Sequence, residues 1–105
     1  MQKYIFKQSE YKSYKDFYRD IAKKLDAKND MNCLEPEDLG FSADILYEFL
    51  EDYYDENIKL ILVGFDLEKI DQRKTHEDYK TSLIIEVMRE FVEKYPNNTI
   101  EFREE

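Results

Sequence analysis

The sequence predicts a small α/β domain, on three observations. Strand-like segments stand at Gln2–Lys7 and Thr99–Arg103, an uninterrupted apolar run lies between them at Leu60-Ile61-Leu62-Val63, and long amphipathic helical stretches fill the gaps. The order is strand, helix, helix, strand, helix, strand. Connections of that length permit parallel pairing and a right-handed crossover. A chain of 105 residues has room for one hydrophobic core, so residues 1–105 are expected to form a single domain. With two Gly and two Pro there is little punctuation, and only residues 28–41 look irregular.

Taken in order, Gln2–Lys7 has a Tyr-Ile-Phe centre between polar ends and suits a first strand. Ser13 can accept from the N–H groups of a first helical turn, with Asp16 three residues on, a capping-box-like start. Tyr14, Phe17, Tyr18, Ile21, Ala22 and Leu25 then repeat at helical spacing along one face, and Lys23, Lys24 and Lys28 complement the negative end of the dipole. After a loop closed by Pro36 and Gly40, Ser42 can cap a second helix that runs to about Tyr54, with Ala43, Leu46, Phe49, Leu50 and Tyr53 as its apolar stripe. The Leu60–Val63 run is the expected central strand, covered on both faces. Asp66–Lys74 is a turn or short helix. Thr75 and Asp78 open a third long helix whose buried face is Leu83, Ile84, Val87, Met88, Phe91, Val92 and Tyr95, and Pro96-Asn97-Asn98 ends it. Ile100 and Phe102 share one side of the last strand.

Composition narrows function. A 42% hydrophobic and 15% aromatic chain is too rich in core-forming side chains for a disordered acidic tail. The net charge of −9 disfavours nucleic acid and favours a basic partner. Its distribution is uneven: residues 1–28 carry eight bases and four acids, residues 29–56 ten acids and no base, residues 57–105 eleven acids and eight bases. The middle segment supplies the whole deficit. A sole cysteine, Cys33, forms no internal disulfide, and neither a signal peptide nor a membrane span is legible, so a cytoplasmic location is expected. Asn97-Asn98-Thr99 would then be an incidental sequon.

The acidity concentrates on the second helix. Asp44, Glu48, Glu51, Asp52 and Asp55 fall at i, i+4, i+7, i+8 and i+11, opposite the apolar stripe, and no Lys or Arg of the same helix is placed to pair with them. A solvated face, with Asp44 complementing the helix dipole, is the plain structural alternative. Tyr47, an amphipathic aromatic among these charges, favours an interface. Glu86, Glu90 and Glu93 form a smaller row on the last helix, around Arg89. Catalysis is not expected. Paired carboxylates can do acid–base work, but no substrate cleft is legible, and His76 suits an exposed first-turn residue. No zinc spacing, calcium loop or glycine-rich phosphate loop is present, so no metal or other cofactor is expected.

The segment from Glu35 to Leu50, Glu-Pro-Glu-Asp-Leu-Gly-Phe-Ser-Ala-Asp-Ile-Leu-Tyr-Glu-Phe-Leu, resembles the inhibitory loop and second helix of barstar-family ribonuclease inhibitors. The family pattern is Pro, Glu, two aromatics, Gly, then Leu-Asp-x-Leu-Trp-Asp. Pro36, Glu37, Gly40, Asp44 and Leu46 match it, Tyr47 and Glu48 are conservative replacements, and Arg89-Glu90 resembles the family's third acidic contact. The resemblance extends over nearly the whole chain in element order and length. It implies a barstar-like domain, a three-stranded parallel sheet packed by helices, and an immunity protein that occludes the basic active site of a ribonuclease toxin. The implied complex is a heterodimer of toxin and an otherwise monomeric inhibitor. Its partner-binding residues would be Asp44, Glu48, Tyr47, Gly40, Ser42, Asp38, Glu51, Asp52 and Glu90. The alternative is a non-inhibitory acidic module that binds a different basic protein. Asp38-Leu39, in place of the aromatic pair, and the longer Glu48 depart from the pattern and imply a toxin with a wider or more basic cleft.

Overall fold

The computed structural model describes residues 2–25 and 43–105. The loop candidates Asp38, Gly40 and Ser42, with Cys33, Pro36 and Glu37, lie outside the described residues. Strands β1 (Gln2–Lys7), β2 (Ile58–Val63) and β3 (Thr99–Arg103) and helices α1 (Tyr14–Lys24), α2 (Ala43–Glu51), α3 (Leu67–Asp71) and α4 (His76–Lys94) follow in the order β1, α1, α2, β2, α3, α4, β3. A single 3-10 turn at Gln8–Glu10 leads out of β1.

The sheet order is β1-β2-β3, with both pairings parallel. The central place of β2 follows from its side chains: Ile58, Leu60, Ile61 and Leu62 are all buried, whereas on β1 only Tyr4 and Phe6 are. Register places Leu60 between Tyr4 and Ile100, and Leu62 between Phe6 and Phe102. These alternate residues form the face against which the helices pack. Phe6 meets Phe17 of α1 edge-on at 6.1 Å between ring centres, and Tyr4 meets Tyr53 at 6.2 Å. Leu46 and Leu50 of α2 and Ile84, Met88 and Phe91 of α4 complete the core. On the reverse face, buried Ile61 lies between half-exposed Ile5 and Glu101 in the register. Glu101 is bound there by Lys59 at 3.0 Å and by Arg103. Those two cations, Lys59 first, hold its carboxyl below the usual carboxylate range.

Local chemistry explains the helix starts. Ser13 accepts from the Lys15 N–H at 3.2 Å, while Asp16 accepts from the Lys12 N–H at 2.9 Å, one residue further back than a standard capping box. Ser13→Ala is expected to destabilise the fold by about 1 kcal/mol, measured as a shift in the urea midpoint at unchanged slope. Asp66 caps α3 by accepting from the Lys69 N–H at 3.1 Å, and Thr75 caps α4 by accepting from the Asp78 N–H at 3.0 Å.

Two elements differ from expectation. Helix α2 ends at Glu51 rather than near Tyr54, because the backbone tightens into i→i+3 bonds: Asp52 to Phe49, Tyr53 to Leu50 and Tyr54 to Glu51. The helical register of the acidic face therefore stops before Asp52 and Asp55. On α4, Thr81, Ser82 and Ile85 are buried beside the expected stripe, whereas Leu83 is half-buried. The reason is that α4 packs against α1, α2, α3 and β3 together, so it is covered on more than one flank. Arg73, which follows α3 at φ 52°, reinforces that contact by donating to Ser82 and Glu86, each at 3.1 Å.

Candidate functional site

Packing α2 beside α4 creates a groove between them. Burial of Leu46 and Leu50 fixes the rotation of α2 and turns Asp44, Tyr47, Glu48 and Glu51 toward one wall, since they follow at i, i+3, i+4 and i+7. Helix α4 supplies the other wall through Val87 and Glu90, which share a side at i, i+3. The groove has a volume of about 470 Å3 and is wide open to solvent. Its acidic residues thus come from two helices that are 42 positions apart at Glu48 and Glu90.

The four carboxylates are not equivalent. Asp44, Glu48 and Glu90 are exposed, and among the described residues no hydrogen bond or ion pair engages their side chains. Glu51 is committed internally. The Tyr95 hydroxyl donates to Glu51 Oε2 at 2.8 Å, and Lys94 Nζ stands 3.7 Å from the same oxygen. Lys94 also lies 5.8 Å from the centre of the half-buried Tyr47 ring and 5.4 Å from that of Tyr95. The bond to Glu51 raises the Tyr95 hydroxyl above its ordinary pKa, because ionisation would set two anions together. Lys94 is likewise raised, first by the Tyr95 hydroxyl and then by Tyr47 and Glu51.

Of the residues singled out in the sequence, the groove brings together Asp44, Tyr47, Glu48, Glu51 and Glu90. Asp52 stands beyond the end of α2 and does not line it. Glu86 is turned away and bound by Arg73, so the row on α4 contributes only Glu90. His76 is exposed at the start of α4, its ring edge-on to Tyr14 at 5.7 Å. Sequence reasoning missed Lys94 and the lining role of Val87. The missing signal was cross-helical: Lys94 follows Glu90 by one turn, so any helix facing Glu90 also faces Lys94.

Chemically, the arrangement can hold cations. Three carboxylates without a partner among the described residues, set beside Tyr47 and Val87, match ammonium and guanidinium groups presented on a protein surface. Among the described residues, no three His, Cys, Asp or Glu side chains are placed to hold a metal ion, and no helix is long and apolar enough to cross a membrane. The chain matches no family model, no curated protein and no solved structure.

Proposed function

We propose that this protein is a barstar-like immunity protein, which inhibits a basic ribonuclease toxin by laying the α2–α4 groove over the toxin's active site. One observation carries the reading: Asp44 and Glu48 on α2 and Glu90 on α4 line a single groove and have no cationic partner among the described residues. A like-charge pair at i, i+4 costs a helix a few tenths of a kcal/mol, a cost that a bound cationic partner removes.

The mechanism is occlusion. A ribonuclease holds RNA phosphates with Lys, Arg and often His, and carboxylates fixed on packed helices occupy those positions without being cleavable. Tyr47 contributes aromatic surface at the centre, and the uneven charge of the chain steers encounter with a cationic toxin. Steering of this kind is established for the complex of barnase with barstar. The inhibitor works as a cytoplasmic monomer that forms a heterodimer with its toxin, where it guards the cell's own RNA.

The test is capture of the partner from the native cell, followed by an RNA-cleavage assay with and without the inhibitor. Stoichiometric loss of cleavage is expected. A partner whose nuclease activity is unaffected, or that has none, would assign the groove to a non-inhibitory adaptor instead. Glu90, on the opposite wall from Asp44 and Glu48, makes a flanking contact: Glu90→Ala is expected to weaken the complex by about 1 kcal/mol, mainly as a slower and less salt-sensitive association in stopped-flow measurements.

A further inference from the structure

Two of the residues that line the groove, Tyr47 and Glu51, already face a cation of the chain's own. Lys94 Nζ sits between the Glu51 carboxylate, at 3.7 Å, and the rings of Tyr47 and Tyr95, at 5.8 and 5.4 Å from their centres. The Tyr95 hydroxyl completes the arrangement by fixing Glu51 at 2.8 Å. A carboxylate flanked by two aromatic faces is the environment that selects ammonium and guanidinium groups. We infer that Tyr47, Glu51 and Tyr95 form a cation seat occupied by Lys94, and that a partner's arginine or lysine must compete with Lys94 to enter it. The inference rests on reading the groove as a partner-binding surface, and it names the chemistry of one subsite within that surface.

The seat divides the groove into two functions. Asp44, Glu48 and Glu90 have no partner among the described residues, whereas Glu51 is screened until Lys94 leaves. Lys94 itself is more than half exposed, with 58% of its side chain accessible, so it can swing into solvent with little loss of packing. The seat therefore sets selectivity. A partner lacking a cation at this end leaves Lys94 in place, and one carrying a cation there must exceed the ammonium already bound.

The experiment uses the full chain and a hexa-arginine peptide as the probe, titrated at low ionic strength by fluorescence anisotropy. Lys94→Met should tighten binding by about threefold to fivefold, the upper part of the range of a single exposed ion pair. Glu51→Gln should have little effect in the native background and should abolish the gain in the Lys94→Met background. Lys80→Met, which removes the same charge about 21 Å away along α4, controls for net charge and should produce a smaller gain. Equal effects of Lys80→Met and Lys94→Met, equal losses from Glu51→Gln in both backgrounds, or no peptide binding by any variant would overturn the seat. Failure of the nuclease-inhibitor reading is separate, since it would appear as intact RNA cleavage while the peptide cycle behaved as expected.

Discussion

Asp44→Ala and Glu48→Ala are each expected to weaken the complex with the cognate nuclease by about 2–5 kcal/mol, or roughly 30-fold to several thousand-fold in Kd. The magnitude follows from what each substitution leaves behind. In the proposed complex these carboxylates would face cations of the nuclease that are no longer accessible to water, and truncating one partner would strand the other as a buried, unpaired charge. Titration of RNA cleavage with each variant reads the effect, and tight inhibition by both variants would sink the assignment of this helix. Stability supplies the control. Asp44 and Glu48 are exposed and lie outside the core, so thermal unfolding should move little. Loss of the Asp44 charge from the first turn forfeits a favourable helix-dipole interaction, and relief of the repulsion from Glu48 offsets part of it. Binding and folding are thereby separable at these two positions.

The same physics explains how much of the site was legible. Spacing along one helix suffices to place Asp44, Tyr47 and Glu48 together, because i, i+3 and i+4 positions are neighbours in any α-helix. It does not show that the last turn tightens after Glu51, which leaves Asp52 past the helix end and off the groove. It cannot show that Glu51 is neutralised, because Lys94 and Tyr95 come from a different element. The fold shows the same division. The strands announced themselves through Tyr4, Phe6 and the Leu60–Val63 run, and the starts of α1 and α4 through Ser13 and Thr75. The second buried flank of α4 was hidden: Thr81 and Ser82 are polar by type, and their burial depends on the short helix α3 lying against them. Glu90 shows the benefit of combining both kinds of information. By spacing alone it belonged to an ordinary acidic row; the resemblance implied a contact for it, and the pairing of α2 with α4 puts Glu90, and not Glu86, on the groove.

Asn98 has the largest expected effect on folding outside the apolar core. Its place after Pro96 marks it as a helix-stop residue, yet it is 1% exposed and joins three parts of the chain. Its side-chain oxygen accepts from the Ile58 N–H at 2.9 Å, at the first residue of the central strand. Its amide nitrogen donates to the carbonyls of Tyr54, at 3.1 Å, and Tyr95, at 3.2 Å, beyond the ends of α2 and α4. Three neutral hydrogen bonds at roughly 1 kcal/mol each, with a buried N–H left unsatisfied, give a loss of about 3 kcal/mol for Asn98→Ala, to be read from urea unfolding. Asn98→Asp tests the cause more closely, because it keeps the shape and the acceptor for Ile58 but turns both donors into an acceptor aimed at two carbonyls. Burial and those carbonyls raise the folded-state pKa of the new carboxyl above its unfolded value. Folding then favours the protonated form, so the variant should be least stable at neutral pH and should recover relative to the native protein as pH falls through that raised pKa. A loss equal at pH 7 and pH 5 would show that ionisation of the new carboxyl is not its cause. The expected recovery would instead locate the stability of the junction beyond the ends of α2 and α4 in the two hydrogen bonds that this amide donates.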